Sequence, residues 1–375
     1  MPMRRLRIFC LLFALALTTF GCSDSKTPEV SEKTTEVPPQ ESIPPDHSPR
    51  SPSETDWFED VTSQTGINAT YHSGQDAKLY TILETVGGGV AMLDYDQDGD
   101  MDLFFPGGGE IHKNPAKVTG KPSRLYRNKG DWKFSDVTEE MGLDQSVDYS
   151  HGCAVSDFNR DGWPDLFLTC YGQSRLYQNQ KGQSFSDVTE TVGLAFSSWS
   201  TAVTWADVNR DGWPDLYVAG YVKWELDPNE ICEAGEKNIR DVCPPQKYPA
   251  ARDRLFLNRQ GQRFEEVTDQ AQLSTEGKGL GVLAADFNHD GWLDLYVAND
   301  GVANQMYLGG ADFPLREVGE ASGTAFNEFG APEGSMGLDY ADFNGDGRGD
   351  LFVTNFEMED NSLYRHIEGY AFVHS

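Results

Sequence analysis

The residues from Asp157 to Asp165 read Asp-Phe-Asn-Arg-Asp-Gly-Trp-Pro-Asp, with an oxygen-bearing side chain at positions 1, 3, 5 and 9. The glycine at position 6 allows a sharp bend in the backbone, and the residue at position 7 can offer its carbonyl oxygen. A Ca²⁺ ion in a protein is held by about six to eight oxygen atoms. The spacing therefore predicts a loop that wraps a calcium ion.

Five copies of this nine-residue loop occur in the chain, each closed by Asp and followed by Leu. We number them loops 1 to 5 in chain order. One copy would be weak evidence, because ordinary turns use the same residues, but five copies predict calcium binding at about one ion per loop. The candidate side-chain ligands are Asp94, Asp96, Asp98 and Asp102 in loop 1, Asp157, Asn159, Asp161 and Asp165 in loop 2, Asp207, Asn209, Asp211 and Asp215 in loop 3, Asp286, Asn288, Asp290 and Asp294 in loop 4, and Asp342, Asn344, Asp346 and Asp350 in loop 5. The candidate carbonyl ligands at position 7 belong to Asp100, Trp163, Trp213, Trp292 and Arg348.

Other calcium motifs and other metals fit these loops less well. An EF-hand needs flanking helices and a Glu at position 12, whereas the residues found there are apolar and lie in β-rich runs. Mg²⁺ demands a tighter octahedron, and zinc or copper would select His or Cys, which the ligand positions lack. His289 occupies an even position of loop 4, so its side chain is expected to point away from the ion.

The expected role of the ion is structural. Each loop gathers like charges that repel one another, so ion binding should be coupled to folding. Loop 1 carries the most carboxylates, four at the ligand positions and Asp100 besides. It is therefore predicted to bind its ion most tightly.

Two further phrases repeat around the loops and predict the strands that hold them. In the second copy they are Arg175-Leu-Tyr-Gln-Asn179 and Phe185-Ser-Asp-Val-Thr189, and a short run of small apolar residues precedes each loop. One unit thus reads as four short strands, and successive loops start 63, 50, 79 and 56 residues apart. Repeated four-stranded units of this length are typical of a β-propeller. An all-β propeller with five recognisable blades is therefore predicted for residues 57–375.

The count of repeats predicts an incomplete ring. Trp57–Thr62 reads as an additional fourth strand that would complete a last blade, and the sequence stops at Ser375, within what should be the fourth strand of the fifth unit. Two expectations remain open: the sequence is part of a longer chain, or five blades close in a different way. An open ring would expose strand edges and favour association.

The longest interval contains an insertion at about residues 223–252, which shows no strand pattern. It is expected to carry a ligand contact or to be a decoration without a partner. Cys232 and Cys243 lie close together within it and are the favoured disulfide pair. Cys153 and Cys170 flank loop 2, where a cross-strand disulfide and two free thiols are both open.

The N-terminal 22 residues predict export. Three arginines precede a short apolar run, as in a signal peptide, and the run is too short for a transmembrane helix. Gly21-Cys22 resembles a bacterial lipoprotein cleavage site, although Thr19 stands where Leu is usual. Lipidation at Cys22 would anchor the chain to the outer membrane or cell surface, and ordinary secretion is the alternative. Residues 23–56 hold seven prolines and predict a disordered tether.

The net charge of −30 is partly a property of the loops, which contain 17 of the 60 acidic residues. The remaining acidity argues against a nucleic-acid partner. Residues that break the repeat are the only candidates for catalysis, and none has a partner at a spacing that catalysis requires. They are His72, Glu84, His112, His151 and Glu225. His151 is expected either to line the channel or to be satisfied by a hydrogen bond.

These phrases resemble the FG-GAP/VCBS repeats of the integrin α-subunit propeller. The chain is more similar to the bacterial ASPIC/UnbV family, related to cartilage acidic protein, in Ile82–Val90, in the Leu-Tyr-Arg-Asn and Phe-x-Asp-Val-Thr phrases, in Ala251–Leu255 and in Tyr296–Gly301. The resemblance spans about residues 57–375 and implies an extracytoplasmic calcium-binding propeller. Members usually continue past the last phrase seen here into a further ASPIC/UnbV domain.

The resemblance implies a module for binding or adhesion, with a protein or glycan as ligand. Two other functions remain open. Propellers also host hydrolases and lyases that act on polysaccharides, because a fold does not determine a function. The third alternative is a purely structural surface protein.

Overall fold

The computed structural model describes residues 58–234, 239–311 and 313–375. The predicted signal peptide, the lipidation site at Cys22 and the tether lie outside these residues. From Asp60 to Ser375 the chain forms one compact unit. No helix within the described ranges has the length and apolar character needed to cross a membrane.

Five units of four antiparallel strands form around the five loops, and we call them blades 1 to 5. The second strand of blade 2 also pairs with the first strand of blade 3, which joins these two blades into one eight-stranded sheet. In each blade the loop joins the first strand to the second. The strands are Ala91–Leu93, Asp102–Phe105, Arg124–Asn128 and Phe134–Asp136 in blade 1; Tyr149–Ser156, Asp165–Gln173, Arg175–Asn179 and Phe185–Asp187 in blade 2; Ser197–Ala206, Asp215–Gly220, Arg254–Asn258 and Phe264–Glu266 in blade 3; Gly279–Ala285, Asp294–Asn299, Gln305–Leu308 and Arg316–Glu317 in blade 4; and Leu338–Ala341, Asp350–Val353, Ser362–Glu368 and Ala371–His374 in blade 5. The predicted all-β propeller fold is confirmed.

The apolar second strands pack on both faces because each inner blade has two neighbours. In blade 2, Leu166 and Leu168 join a hydrophobic cluster with blade 1, whereas Phe167 between them joins a cluster with blade 3. Successive side chains of a strand point to opposite faces. A strand covered on both faces therefore reads as a continuous apolar run, which is the pattern that follows every loop.

The two end blades each leave one face without a neighbouring blade. At position 2 of the loops, Tyr95, Phe158, Val208 and Phe287 are at most 2% exposed, because each packs against the next blade. The same position in loop 5, Phe343, is 74% exposed. On blade 1, Met92 is 65% exposed, whereas its counterpart in blade 3, Trp205, is packed. Within the described ranges, no hydrophobic cluster joins blade 5 to blade 1.

The N-terminal segment does not form the predicted strand. Residues 58–61 are not in a strand, and a one-turn helix follows at Thr62–Thr65. A Cβ on Gly66 would lie 2.8 Å from the carbonyl oxygen of Phe134, and a Cβ on Gly323 would lie equally close to that of Phe372. The segment around Gly66 therefore lies against the fourth strand of blade 1. The turn at Gly323, which follows blade 4, lies against the fourth strand of blade 5 in the same way. The other one-turn α-helices are Thr268–Ala271 and Gly319–Ser322.

Two elements outside the blades were not predicted. A small sheet combines His72–Ser73, Gly108–Lys113 and Ala116–Gly120 next to blade 1. The insertion contains a hairpin of Cys232–Ala234 and Ile239–Asp241, so the expectation that it lacks strands was wrong. Short 3₁₀ helices occur at Gln75–Ala77, Ile82–Thr85 and Pro245–Lys247.

The insertion packs against blades 2 and 3. Trp224 is 5% exposed and lies against Tyr171 and Trp199, with ring centroids 5.5 and 5.9 Å away. Cys232 and Cys243 form the favoured disulfide, with an S–S distance of 2.04 Å. Lys278, which directly precedes the first strand of blade 4, donates a hydrogen bond from Nζ to the carbonyl of Pro245 in the insertion at 2.8 Å. The insertion is thus a packed part of the fold, and its aromatic anchor is not available to a ligand.

Candidate metal centres

The closing Asp of every loop is buried and joins two strands. Asp165 accepts hydrogen bonds from two backbone N–H groups, that of Phe158 at 3.2 Å and that of Asn179 at 2.8 Å. Its counterparts in the other four loops make the same pair of bonds, one inside the loop and one to the third strand. Each is at most 2% exposed. The ligand spacing predicted only a ligand role for position 9, and this structural role was not predicted.

In loops 1 to 4, burial raises the pKa of the closing carboxyl group, although its backbone hydrogen bonds oppose the shift. The pKa reaches about 6 for Asp102, about 8 for Asp165 and about 7 for Asp215 and Asp294. A low-dielectric site disfavours the charged form of a carboxyl group, and a nearby cation restores it. The loops therefore hold carboxylates whose ionised form would gain from a bound cation.

The first Asp of each loop organises the bend. In loop 2, Asp157 accepts from the N–H of Asp161 at 3.0 Å and from that of Gly162 at 2.8 Å. The same two bonds occur in the other four loops. Gly162 has φ 91°, a conformation that glycine adopts readily and other residues rarely do. The predicted sharp bend at position 6 is confirmed.

Loop 1 brings three carboxylates together. One oxygen each of Asp94, Asp96 and Asp102 lies within 4.8 Å of the others. Oδ1 of Asp96 is buried without a hydrogen-bond partner, whereas its Oδ2 pairs with Nε of Arg127 at 2.9 Å. An unpaired buried oxygen is costly, and an ion held by oxygen ligands would remove that cost. The residues of loop 1 fit Ca²⁺.

Loops 2 to 4 differ from loop 1 at position 3. In loop 2, the side chain of Asn159 accepts from the N–H of Asp161 at 2.9 Å and donates to its carboxylate at 3.0 Å. Loops 3 and 4 repeat this arrangement. The amide therefore holds the position-5 carboxylate toward the loop, and each of these loops still offers oxygen atoms at every predicted ligand position.

Loops 4 and 5 carry side chains that the sequence pattern did not place. His289 stacks on His366 of blade 5, with ring centroids 5.4 Å apart, and is not part of the oxygen cluster, as expected from its even position. In loop 5, the side chain of Arg348 donates to the carboxylate of Asp346 at 2.8 Å. One candidate ligand of loop 5 is thus already paired with a cation.

The second pair of cysteines is not bonded. Cys153 and Cys170 are free thiols, so the cross-strand disulfide left open by the sequence is not formed. The strand register explains why, since Cys170 lies opposite Ser150, and Cys153 lies opposite Leu168. Burial raises the pKa of Cys153 to about 12, so this thiol stays protonated.

His151 is a buried hydrogen-bonded residue. Its Nδ1 lies 3.1 Å from the hydroxyl of Tyr71, and its Nε2 accepts from the indole of Trp199 at 3.0 Å. Burial lowers its pKa to about 3, so the ring is neutral. Of the two expectations for this residue, the satisfied hydrogen bond is the one found.

The other four candidates for catalysis lie on three elements: His72 and His112 in the small sheet, Glu84 in the 3₁₀ helix Ile82–Thr85, and Glu225 on the insertion. Glu84 accepts from the backbone N–H of Thr81 at 2.9 Å in a capping box, and His112 contacts Thr119 in the small sheet at 3.1 Å. His72 lines a shallow cavity of about 400 Å³ beside blade 1, and Glu225 is exposed on the insertion. The structure brings none of these four into contact with His151.

Comparison with known proteins identifies the repeat. The model of the FG-GAP-like repeat matches residues 94–168, 157–218, 248–297 and 286–353, which is more than half of the chain. Cartilage acidic protein 1 of Xenopus tropicalis is 29% identical over 188 residues, 48% of this chain and 25% of that protein. The human protein of the same name is 26% identical over 183 residues, 48% of this chain and 24% of that protein. The matched segment spans about a quarter of the length of these curated relatives.

A solved structure of an Agrocybe aegerita lectin, which recognises non-reducing terminal N-acetylglucosamine, aligns with 77% of this chain and 79% of its own. The TM-score is 0.34 and the identity 13%, which is too weak a similarity to support an inference. The family model rests instead on the loops and strands described above. On that evidence, the chain belongs to the family of FG-GAP-like repeat proteins.

Proposed function

We propose that the chain is a calcium-stabilised binding module that acts outside the cytoplasm on a protein or glycan ligand. The observation that carries the calcium proposal is the convergence of Asp94, Asp96 and Asp102 in loop 1, with one buried oxygen of Asp96 left without a partner. The other four loops share its bend and its closing Asp. Bound ions would cancel about ten charges at one ion per loop.

The ions are proposed to stabilise the scaffold rather than to contact a substrate. The five loops each lie between the first and second strands of their own blade. The closing Asp of each loop also holds the third strand, so an ion that orders the loop would stabilise three strands at once. Binding would then be coupled to folding of the blades.

The proposed location is extracytoplasmic. The disulfide between Cys232 and Cys243 supports an oxidising compartment, and the N-terminal sequence supports export with lipidation at Cys22. Palmitate labelling of the full chain tests the anchor. Incorporation that is lost in Cys22→Ser is expected, and labelling that survives this substitution would contradict it.

The binding proposal is tested with a glycan array and a panel of extracellular matrix proteins, each run in calcium and in chelator. Binding that requires calcium is the expected result. A parallel panel of polysaccharides tests for an enzyme. Turnover of any of them that is abolished by a single substitution would replace the binding proposal with a catalytic one.

Calcium binding itself is tested by metal analysis and calorimetry on the purified chain. About five ions per chain are expected at one per loop, together with a lower melting temperature after chelation. If the purified chain retains no ion and melts identically with and without chelator, the calcium proposal is wrong.

A further inference from the structure

Two asparagines at the end of third strands each bridge two consecutive loops. Nδ2 of Asn179 donates to the carbonyl of Tyr95 in loop 1 at 2.9 Å and to that of Pro164 in loop 2 at 3.2 Å. Its backbone N–H donates to the closing Asp165 of loop 2. One residue of blade 2 is therefore bonded to two candidate metal loops.

Asn258 repeats this arrangement one blade further on. Its Nδ2 donates to the carbonyl of Phe158 in loop 2 at 2.8 Å and to that of Pro214 in loop 3 at 3.1 Å. Its backbone N–H donates to the closing Asp215 of loop 3 at 2.7 Å. Asn179 and Asn258 are almost completely buried, at 1% and 0% exposure. Loops 1, 2 and 3 are thus connected in series through two buried amides.

The same position in blades 1 and 4 lacks the bridge. In blade 1, Asn128 donates from Nδ2 to Met101 and from its N–H to Asp102, both in loop 1. In blade 4 the position is Gly309, whose N–H reaches Asp294 and which has no side chain to reach loop 3. In blade 1 the asparagine therefore bonds to one loop only. In blade 4 the glycine has no side chain that could form a bridge.

In the preceding loop, the carbonyl that each bridge holds belongs to position 2, between two candidate ligands. Tyr95 lies between Asp94 and Asp96, so the direction of its carbonyl depends on the conformation that places these two carboxylates. Buried donors are costly when they lose an acceptor. An ordered loop 1 gives Nδ2 of Asn179 a fixed acceptor, and an ordered loop 2 fixes the amide itself.

We propose that Asn179 and Asn258 are positioning residues that couple ion binding between loops 1 and 2 and between loops 2 and 3. This inference rests on the proposed calcium binding and adds that these three sites bind cooperatively. Coupling between sites is reciprocal. Because one buried hydrogen bond carries each link, occupying one loop should raise the affinity of its bridged neighbour by about 3- to 10-fold.

Hydrogen exchange measured by mass spectrometry on the full chain resolves the loops individually. The readout is the free Ca²⁺ concentration that gives half-maximal protection of the loop 1 segment, around Asp98 and Gly99. Loop 2 is disabled by Asp157→Asn, which removes a candidate ligand of that loop. This substitution should raise the half-protection concentration of loop 1 by about 3- to 10-fold in the native background.

The bridge is tested by repeating the comparison in an Asn179→Ala background. There, Asp157→Asn should leave the half-protection concentration of loop 1 unchanged, whereas in the matched Asn128→Ala background the shift should persist. If Asn179→Ala does not fold, Asn179→Ser keeps a short polar side chain that can accept the N–H of Gly182 but is too short to bridge the two loops. The pair of Asn258→Ala with Asp207→Asn, read out at loop 2, gives an independent test of the second link.

Two results would overturn the coupling while calcium binding stands. One is a half-protection concentration of loop 1 that Asp157→Asn does not change in the native background. The other is a shift that persists in both the Asn179→Ala and the Asn128→Ala backgrounds. If calcium protects no loop in any variant, the proposed calcium binding is wrong and the coupling falls with it.

Discussion

At the scale of single residues, the closing Asp of a loop and the Asp at position 5 have different roles. Asp165 accepts two backbone N–H groups, one from its own loop and one from the third strand. Asp161, in contrast, lies on the exposed side of the loop and accepts the N–H of Trp163. The first residue stabilises the blade directly, and the second would contribute mainly through an ion.

This difference predicts that the two Asp→Asn variants depend differently on chelation. Asp165→Asn places an amide NH₂ where a backbone N–H needs an acceptor, so it should lower the free energy of unfolding by about 1–3 kcal/mol even in chelator. Asp161→Asn should lower it in calcium and change it little in chelator. Urea unfolding of both variants in each condition measures the effect. Equal losses for Asp161→Asn in calcium and in chelator would contradict the ligand role.

His151 predicts acid sensitivity. Burial lowers its pKa from 6.5 to about 3, so its neutral form stabilises the fold above pH 6.5, and this contribution is lost as the pH falls toward 3. The free energy of unfolding of the wild type should fall relative to His151→Gln by about 1.4 kcal/mol per pH unit over that range. Urea unfolding of both proteins from pH 7 to pH 4 measures the difference. Curves that stay parallel would show that His151 does not titrate in this range.

At the scale of elements, the insertion is held by its apolar anchor as well as by its disulfide. Trp224 is buried among aromatic residues of blades 2 and 3, while the exposed Trp132 lies in a turn of blade 1. A surface loop of 30 residues would otherwise be expected to move freely. The anchor explains how the insertion keeps a fixed position.

The two tryptophans provide a matched pair for testing this. Trp224→Ala removes a large buried side chain and should lower the free energy of unfolding by about 3–5 kcal/mol. Trp132→Ala, at 73% exposure, should change it by less than about 0.5 kcal/mol. Urea unfolding of the two variants in calcium checks both values. A small loss for Trp224→Ala would show that the disulfide alone holds the insertion.

At the scale of the whole molecule, each blade is stabilised by the blade that follows it. Phe287 at position 2 of loop 4 is fully buried against blade 5, where it lies 5.0 Å from Tyr340 and 6.4 Å from Phe372, measured between ring centroids. Phe343 has the same position in loop 5 but has no following blade among the described residues. The repeat therefore places a phenylalanine at the same loop position in a buried environment in blade 4 and in an exposed environment in blade 5.

Replacing each of these two phenylalanines by alanine is therefore predicted to change the free energy of unfolding by very different amounts. Phe287→Ala should lower the free energy of unfolding by about 3–5 kcal/mol, and Phe343→Ala by less than about 0.5 kcal/mol. Calorimetry or urea unfolding in calcium measures the two losses. A loss for Phe343→Ala comparable to that for Phe287→Ala would mean that the face of blade 5 is covered in solution.

The sequence alone predicted the loops, their sharp bends, the five blades and the disulfide between Cys232 and Cys243. These features are local, since the ligand spacing of two residues and the continuous apolar strand after it lie within one unit of the chain. The spacing predicted all five loops, although position 3 is Asp in loop 1 and Asn in the others and the residue at position 4 varies. Calcium itself stays a prediction that the loop geometry fits.

Only the tertiary structure decided which distant groups the loops contact. Asn179 bonds to Tyr95, which lies 84 residues away in sequence, and no spacing rule connects them. The neutral state of His151, the packed anchor Trp224 and the helix at Thr62–Thr65 depend likewise on what packs against them. Partners of this kind are chosen by the packing of one blade on the next, because burial requires each donor to find an acceptor that the local sequence does not contain.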